Sequence, residues 1–199
     1  MIPVVLFGPT GSGKTNILKK LSAKGFAVLD LESFAVHRGS VFGRINIESS
    51  QPTQEDFEAI IANKLEEFYG SRYVFLEHEA GNLGKLRIPE VITEMYTRGI
   101  GVLINTGLSK RVQYILEEYL PADNDRLVAA FEKLESRLDE ELFRRLHRLL
   151  LDESYAEFCY EILYYYDNSK LYQGTGDYDI VIDDNGAERN VTELLQSLL

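Results

Sequence analysis

The stretch Ile2–Leu21, IPVVLFGPTGSGKTNILKKL, decides the fold. Its first six residues form an apolar run that predicts a buried strand, and the apolar spacing from Gly13 onward predicts a helix to about Ala23. Between them, GPTGSGKT at Gly8–Thr15 matches the phosphate-loop pattern of a glycine, four residues and then Gly-Lys-Thr. A strand, a glycine loop and a helix in this order predict a phosphate-binding cradle.

The residue types of this loop suit an anion. Glycines let successive backbone N–H groups turn toward a phosphate, and the helix N-terminus adds the positive end of its dipole. Lys14 supplies a mobile charge for the outer phosphates, and the Thr15 hydroxyl is placed to bind Mg²⁺. The predicted phosphate contacts are Gly8, Pro9, Thr10, Gly11, Ser12, Gly13, Lys14 and Thr15. The loop leaves the reaction open, because the same cradle serves kinases, ATPases and enzymes that release diphosphate.

Strands alternate with helices along the rest of the chain. This order predicts an α/β fold: a P-loop NTPase-like parallel sheet flanked by helices, with a helical C-terminal extension. The predicted elements are a strand in FAVLDL, a capped helix from Thr53, a strand in RYVFLEHE, a helix over 85–98, a strand in GIGVLINT, helical leucine spacing over 125–166, a strand in YDIVID and a helix over Thr192–Leu199. We expect one domain over 1–199, with an α/β core over 1–120, a helical insertion or extension over 121–172, and a closing strand and helix over 173–199.

Composition narrows the class of protein. With 199 residues, 45% of them hydrophobic, the chain can bury a core without help from disulfides. The single cysteine, Cys159, excludes an internal disulfide framework and fits a reducing compartment, so we expect a cytoplasmic protein without a membrane segment. The net charge of −11 argues against a general nucleic-acid coat. However, residues 1–45 hold six Lys or Arg against two Asp or Glu, which favours an anionic ligand there.

Polar residues follow the second predicted strand, at the sheet edge where ligands bind. Asp30 and Glu32 could steer Mg²⁺-bound water or a substrate amine, or could instead cap a helix or pair with Arg38. His37, Arg38 and Ser40 offer a titratable ring, a guanidinium and a hydroxyl, a set that suits a phosphate or a nucleobase edge. We take as candidate catalytic residues Lys14, Asp30, His37 and Arg38, and as candidate substrate contacts Glu32, Ser40, Phe42, Glu77 and Glu79.

Two further positions belong to the predicted phosphate site. Glu77 and Glu79 follow the third strand, and strand alternation sends both side chains the same way. Glu77 is therefore predicted to bind metal together with Thr15. Arg111, after the fourth strand, is predicted to reach over a bound phosphate from a mobile segment, or else to be a surface charge on a helix.

Four ordered blocks of sequence resemble the P-loop domain of the tRNA 2-selenouridine synthases. They are DLESFAVHRGSVFG, QPTQEDFE, VFLEHEAGNLGKLRIP and ILYYYDNSKLY, and the resemblance extends from Val4 to about Tyr172. The chain departs from that family's pattern in two places. Glu79-Ala80 stands where a Glu-Ser pair is common, and Asp167-Asn168 stands where Asp-Pro is expected.

This resemblance implies a two-step reaction at a tRNA wobble 2-thiouridine. The sulfur is first geranylated by geranyl diphosphate, and the geranylthio group is then replaced by selenium from selenophosphate. Relatives of this kind carry an upstream rhodanese-like domain with a cysteine, so we expect a split form with a separate rhodanese-like chain as partner. Mg²⁺ is the expected cofactor, tRNA the expected partner, and ATP or GTP a further ligand that the loop can accept. Four apolar residues could border the isoprenoid chain or lie in the core: Phe34, Val36, Val41 and Phe42.

Two other functions stay open from the sequence. One is an ATP-dependent small-molecule or nucleoside kinase, with Asp30 as base and Arg111 as lid. The other is a non-catalytic, nucleotide-dependent subunit that positions tRNA. In the helical region the arginines 137, 144, 145 and 148 alternate with acids, which predicts a salt-bridged helix before a tRNA contact. The tyrosines 164–166 could stack on an RNA base or simply pack.

Overall fold

The computed structural model describes residues 1–40, 42–79, 81–120, 123–169 and 177–199. Within these residues the strands are β1 (Ile2–Phe7), β2 (Val28–Leu29), β3 (Tyr73–Glu77), β4 (Asn82–Leu83), β5 (Leu86–Arg87), β6 (Ile100–Asn105) and β7 (Ile180–Asp183). Five of them form a parallel sheet in the order β2-β3-β1-β6-β7, while β4 and β5 pair as a small antiparallel hairpin. The predicted α/β fold with a parallel sheet is confirmed.

Helices cover both faces of this sheet and continue into the C-terminal half. They are α1 (Lys14–Ala23), α2 (Leu31–Ala35), α3 (Gln54–Glu67), α4 (Glu90–Arg98), α5 (Leu108–Tyr119), α6 (Asn124–Phe131), α7 (Glu140–Leu151), α8 (Tyr155–Asn168) and α9 (Ala187–Ser197), with a 3-10 helix at Glu132–Arg137. The predicted cap of α3 is confirmed, because the Thr53 hydroxyl accepts the Asp56 N–H and Asp56 accepts the Thr53 N–H. In the described residues, no helix combines the length and apolar character needed to cross a membrane.

Strand β1 lies at the centre of the sheet and divides the core. Its alternate side chains point to opposite faces, so Val4 and Leu6 pack with α1 and α9, whereas Val5 packs with α3 and α4. Both faces are fully buried along the middle of the strand. This position places the phosphate loop, which follows β1 directly, at the carboxyl edge of the sheet between two neighbouring parallel strands.

The helical half has a core of its own. Leu127, Phe131, Leu134 and Leu146 are almost fully buried there, as their helical spacing predicts. The segment is not one continuous helix. It is divided by the 3-10 turn and by a break at Glu153, whose φ is 55°.

Two predicted helix boundaries are wrong. The helix expected over 85–98 begins only at Glu90, because residues 82–87 pair as the hairpin and Pro89 is the N-cap of α4. The helix expected from Thr192 begins five residues earlier, at Ala187, after Gly186 with its φ of 96°. In both cases a turn residue sets the start of the helix, whereas the apolar spacing gives only the buried face.

Candidate active site

The phosphate loop begins where β1 ends and joins α1 through Gly13. Gly13 is the N-cap of α1 and has a φ of 87°, a left-handed conformation that glycine adopts without a Cβ penalty. With glycine as the cap, no side chain occupies the N-terminus of α1. The first-turn N–H groups and the positive end of the helix dipole are therefore presented toward the loop, as anion binding requires.

Side chains of the loop are held by specific contacts. The Lys14 ammonium donates to the Gly8 carbonyl at 3.1 Å, so the lysine folds back across the loop. Thr106, which follows β6, donates its hydroxyl to the Ser12 carbonyl at 2.9 Å. The Ser12 hydroxyl is buried and has no hydrogen-bond partner among the described residues. Sequence patterns missed Thr106, because nothing local to it indicates that β6 ends beside this loop.

Three carboxylates converge next to Lys14 and Thr15. Glu32 comes from α2, Glu77 ends β3, and Glu79 follows two residues later; each contributes a carboxylate oxygen within 4.8 Å of the others. The Thr15 hydroxyl donates to Glu77 Oε2 at 3.3 Å. Glu77 is only 2% exposed, and its Oε1 has no partner among the described residues. We call this group the carboxylate trio.

The trio is electrostatically strained. The pKa of Glu32 is raised to about 9, mainly by burial and in part by the charges of Glu77 and Glu79. Burial also raises the pKa of Glu77, to about 7, against the opposing charge of Lys14. The pKa of Glu79 is raised by burial in the same way. Three carboxylates in this position favour either protons or a cation.

Neighbouring residues fix the trio in place. The Tyr96 hydroxyl donates to the Glu77 carbonyl and accepts the Glu79 N–H, both at 3.2 Å, so it clamps the end of β3. Gly39 approaches from the opposite loop with a φ of 70°. A Cβ at Gly39 would lie 2.9 Å from Glu79 Oε2 and 3.0 Å from Glu32 Oε1. The absence of a side chain at Gly39 thus lets this loop close against the acids.

Asp30 lies at the same sheet edge, where it caps a helix. It is the N-cap of α2, and its carboxylate accepts the Ser33 N–H at 2.9 Å. Its charge nevertheless acts on Glu77 and contributes to the raised pKa of that group. Helix capping, one of the roles that the sequence left open for Asp30, is therefore present in the structure.

His37 is enclosed by protein groups, and its predicted contact with a ligand stays a prediction. The residue is 8% exposed, and its Nδ1 accepts the Gly39 N–H at 3.1 Å. Burial and the nearby Arg44 charge lower its pKa, which favours the neutral ring. Cβ atoms built on Gly43 and Gly84 would lie 2.6 and 2.7 Å from ring carbons, so the imidazole fills the space between two glycines. His37 is a packing residue that joins its loop to the β4–β5 hairpin.

Arg38 and Ser40 also face protein groups. Arg38 donates to the Ile45 carbonyl at 3.2 Å, lies 3.4 Å from a Glu118 carboxylate oxygen and stacks over the Tyr119 ring. The Ser40 hydroxyl accepts the backbone N–H of residue 42 and lies 3.3 Å from the Tyr119 hydroxyl. These contacts attach the loop to the end of α5. The sequence did not predict these contacts, because α5 approaches the loop from a distant part of the sequence; the ligand contacts predicted for both residues stay predictions.

Arg111 is buried against the phosphate loop and does not form a mobile lid. Its side chain is 3% exposed, and its Nε donates to the Thr10 carbonyl at 2.8 Å. Its other two nitrogens donate to the two oxygens of Asp167 at 2.6 and 3.0 Å. Burial contradicts the surface charge considered for Arg111, whereas its predicted phosphate contact stays a prediction. The sequence could not reveal Asp167 as the partner, since α8 lies 56 residues away.

The apolar residues expected to border the isoprenoid chain do not share one location in the structure. Phe42 packs edge-on against Tyr119 and Phe158 in the helical core, the alternative that the sequence left open, and its predicted substrate contact stays a prediction. Phe34 is half-buried against the core of the β2–β3 side. Val36 is the C-cap of α2, with a φ of 52°. Val41, the fourth of these residues, lies outside the described residues.

Comparison with known proteins decides the family. The model of the tRNA 2-selenouridine synthase AAA domain matches residues 2–197. The chain belongs to this family. The resemblance drawn from the four sequence blocks is thereby confirmed.

Relatives of this selenouridine synthase AAA domain are longer than the chain itself. A tRNA 2-selenouridine synthase from Sulfurovum sp. is 32% identical over 79% of the chain and 43% of its own length. One from Nitrosomonas europaea is 34% identical over 75% of the chain and 40% of its own length. The chain thus spans about two fifths of these curated relatives. Among solved structures, shikimate kinase from Bacteroides thetaiotaomicron is similar over 99% of the chain and 98% of its own, with 18% identity and a TM-score of 0.42.

In this selenouridine synthase AAA domain the sequence blocks meet around one glutamine. Gln51, from the second block, donates to the carbonyls of Ala35 and Leu83, both at 3.0 Å. Its side-chain oxygen accepts the Lys85 N–H at 3.2 Å. Gln51 therefore links α2 to the β4–β5 hairpin. The first three blocks are separate in sequence but form one wall beside the phosphate loop.

The helical half of the AAA domain carries the remaining candidates. Cys159 is buried in the helical core, and burial raises its pKa to about 12. Arg144 pairs with Glu140, and Arg145 pairs with Glu161 at 2.6 Å, so the predicted salt-bridged surface is confirmed for these two arginines. Tyr165 donates to the Arg137 carbonyl at 3.2 Å, whereas Tyr164 is 58% exposed.

Proposed function

We propose that this chain provides the phosphate-loop part of a tRNA 2-selenouridine synthase and binds geranyl diphosphate for S-geranylation of a wobble 2-thiouridine. Membership of the selenouridine synthase AAA-domain family supports this role, as do the names of relatives above 30% identity. The observation that carries the diphosphate assignment is the loop at Gly8–Thr15, which joins a buried central strand to an uncapped helix N-terminus. Its ligand would be the diphosphate group.

The chemistry suits this cradle. In the first step the thiouridine sulfur forms a bond to C1 of the geranyl group, the C1–O bond breaks, and diphosphate leaves with both electrons. Developing negative charge on the leaving oxygen is stabilised by the loop N–H groups and by Lys14, which would exchange the Gly8 carbonyl for a phosphate oxygen. This loop need not transfer a phosphoryl group. Positioning and charge stabilisation would be its whole contribution.

Mg²⁺ fits the residues beside the loop. Two oxygen donors of the kind that Mg²⁺ prefers lie there: the buried Glu77 Oε1, which has no hydrogen-bond partner among the described residues, and the Thr15 hydroxyl, which donates to Oε2. When bound, Mg²⁺ would neutralise charge on the diphosphate. Thr15 and Glu77 would hold it, and the Thr15 hydroxyl would then exchange its hydrogen bond for metal contact. ATP or GTP would compete for the same loop.

Selenium transfer would need groups beyond this chain. In the second step selenium from selenophosphate attacks C2 of the base, geranylthiolate leaves, and hydrolysis of the P–Se bond by water releases phosphate. A thiol carrier for selenium must be reactive as thiolate, but the single cysteine, Cys159, is buried with a pKa near 12. We propose that a rhodanese-like protein supplies that carrier and that tRNA is the shared substrate.

A direct test uses the purified chain. It is incubated with 2-thiouridine-containing tRNA, geranyl diphosphate and Mg²⁺, with and without a rhodanese-like protein and selenophosphate, and the nucleosides are weighed by mass spectrometry. We expect S-geranyl-2-thiouridine from the chain alone and 2-selenouridine in the full mixture. Binding of tRNA without either product would support the positioning subunit instead. Turnover of ATP with a nucleoside acceptor and no change in tRNA would support a kinase.

The loop has its own matched control. Lys14→Ala should weaken geranyl diphosphate binding by at least about tenfold, since one strong charge-assisted contact is worth about 1.5–3 kcal/mol. Lys19→Ala removes the same charge from an exposed position on α1 and should bind within about twofold of the wild type. Equal affinities of both variants for geranyl diphosphate in isothermal titration calorimetry would show that Lys14 does not contact the ligand.

A further inference from the structure

We infer that Glu32, Glu77 and Glu79 form a divalent-cation site that the chain can fill before any diphosphate arrives. The inference extends the proposed function at the same sheet edge and rests on it only for what the cation does there. It assigns Glu32 and Glu79 as metal ligands, whereas the sequence suggests substrate contacts for them. The predicted cation is a hard one, Mg²⁺ in the cell and Mn²⁺ as its probe.

Geometry supports this assignment first. Oxygens of the three carboxylates lie within 4.8 Å of one another. Around an octahedral Mg²⁺ at about 2.1 Å, adjacent ligands lie about 3.0 Å apart and opposite ones about 4.2 Å apart. Since the present bound of 4.8 Å exceeds both separations, side-chain rotations that bring pairs of these oxygens closer by up to about 2 Å would close the trio around an ion. Carboxylate oxygens alone, without sulfur or imidazole, select Mg²⁺, Mn²⁺ or Ca²⁺ over softer metals.

Burial supplies an independent observation. Glu77, a member of the trio, is only 2% exposed, and its Oε1 lacks a hydrogen-bond partner among the described residues. A buried carboxylate oxygen without a partner is costly, and a bound cation would satisfy it. The other oxygen of Glu77 already contacts Thr15, so the unused one is the oxygen free for the trio.

Local charge points the same way. Lys14 is the cation whose field acts on all three carboxylates. Ionised, the trio and Lys14 together carry a net charge of −2, which one divalent cation would neutralise. The nearby acids are engaged elsewhere, since Asp30 caps α2 and Glu118 lies beside Arg38.

Binding of Mn²⁺ to the full chain tests the inference without any diphosphate present. Free Mn²⁺ is followed by electron paramagnetic resonance, and Mg²⁺ is then added as competitor. We expect one Mn²⁺ per chain, displaced by Mg²⁺, with affinity lowered at least about tenfold in Glu32→Gln and in Glu79→Gln. Asp30→Asn is the matched control, because it removes a neighbouring charge while Asn still caps α2, and it should stay within about threefold of wild type.

Thermal unfolding separates metal binding from folding defects. Glu32→Gln and Glu79→Gln remove repulsion and should melt no lower than wild type in EDTA, whereas the rise in Tm that Mn²⁺ gives to the wild type should be lost. Failure of the wild type to bind Mn²⁺ without diphosphate, or wild-type affinity in both Gln variants, would overturn the inference. Lys14→Ala should keep Mn²⁺ binding while losing geranyl diphosphate, so failure of the cation site and failure of the proposed function are distinguishable.

Discussion

Replacing Asp167 with alanine should destabilise the protein more than most changes on the surface of α8. The Arg111 guanidinium is 3% exposed and uses two of its nitrogens on the Asp167 carboxylate. Without that carboxylate, the buried positive charge of Arg111 would keep, among the described residues, only the Thr10 carbonyl as a hydrogen-bond partner. The Arg111 charge would therefore lose its ion-pair partner at a position where water solvates it poorly.

The expected magnitude follows from this burial. Breaking a fully buried ion pair by removing one partner costs about 3–5 kcal/mol. Asp167 itself is 36% exposed, so water can enter the vacated position and reduce the penalty to about 2–3 kcal/mol. For a chain of this length, that corresponds to a fall in Tm of about 4–12 °C. Asp167→Asn, which keeps one acceptor oxygen, should lie between wild type and alanine.

Urea unfolding followed by circular dichroism measures the free energy of unfolding. Glu161→Ala on the same helix is the matched control, because it removes an acid paired with the exposed Arg145 and should cost at most about 1 kcal/mol. Combined with Arg111→Met, Asp167→Ala should cost less than the sum of the two single changes, since no charge is then left unpaired. An Asp167→Ala protein within about 0.5 kcal/mol of wild type would refute the reasoning.

Three shorter predictions concern the site and its surroundings. Gly39→Ala should weaken Mn²⁺ binding because its Cβ would press on two acids of the trio, whereas Gly25→Ala, with a similar positive φ of 84° and open space, should share only the stability loss of about 1 kcal/mol in urea unfolding. Cys159 should react with a thiol reagent only as the chain unfolds, and Cys159→Ala should geranylate tRNA at the wild-type rate; rapid labelling of the native chain would contradict its burial. Folding raises the pKa of Glu32 from 4.5 to about 9, so its contribution to stability is present below about pH 4.5 and lost as pH rises toward 9. In EDTA, Tm of Glu32→Gln relative to wild type should therefore rise across that range, and a constant difference would count against the raised pKa.

The fold class and the phosphate loop could be predicted from local sequence patterns. The apolar run at Ile2–Phe7, the glycines and the Gly-Lys-Thr ending are all contiguous, so a pattern confined to one segment sufficed to predict the strand, turn and helix. The proximity of Glu77 to Thr15 could also be predicted from the sequence. Glu77 ends β3 and Thr15 lies in the segment after β1, and the carboxyl ends of parallel strands share one edge of the sheet. These predictions needed only strand alternation and sheet topology.

Side-chain partners from distant elements were not accessible in the same way. His37, Arg38 and Phe42 lie in a polar-looking loop, but α5, α8 and the β4–β5 hairpin surround that loop and engage their side chains. Arg111 has a partner 56 residues away on another helix. For a charged or titratable residue in a loop, the neighbouring sequence does not show whether the side chain contacts a ligand or makes an internal hydrogen bond. Only packing of the finished fold decides between them.

The central position of β1 has a consequence for how the cradle meets its ligand. Both edges of this strand are hydrogen-bonded to parallel neighbours, and its middle residues are wholly buried. Amide hydrogens of β1 should therefore be among the slowest to exchange with solvent. Because the phosphate loop follows directly on this rigid strand, its conformation before binding is close to the bound one. Little conformational entropy is therefore lost when an anion binds. Affinity at this site is then governed by charge and contact, and hardly at all by ordering of the chain.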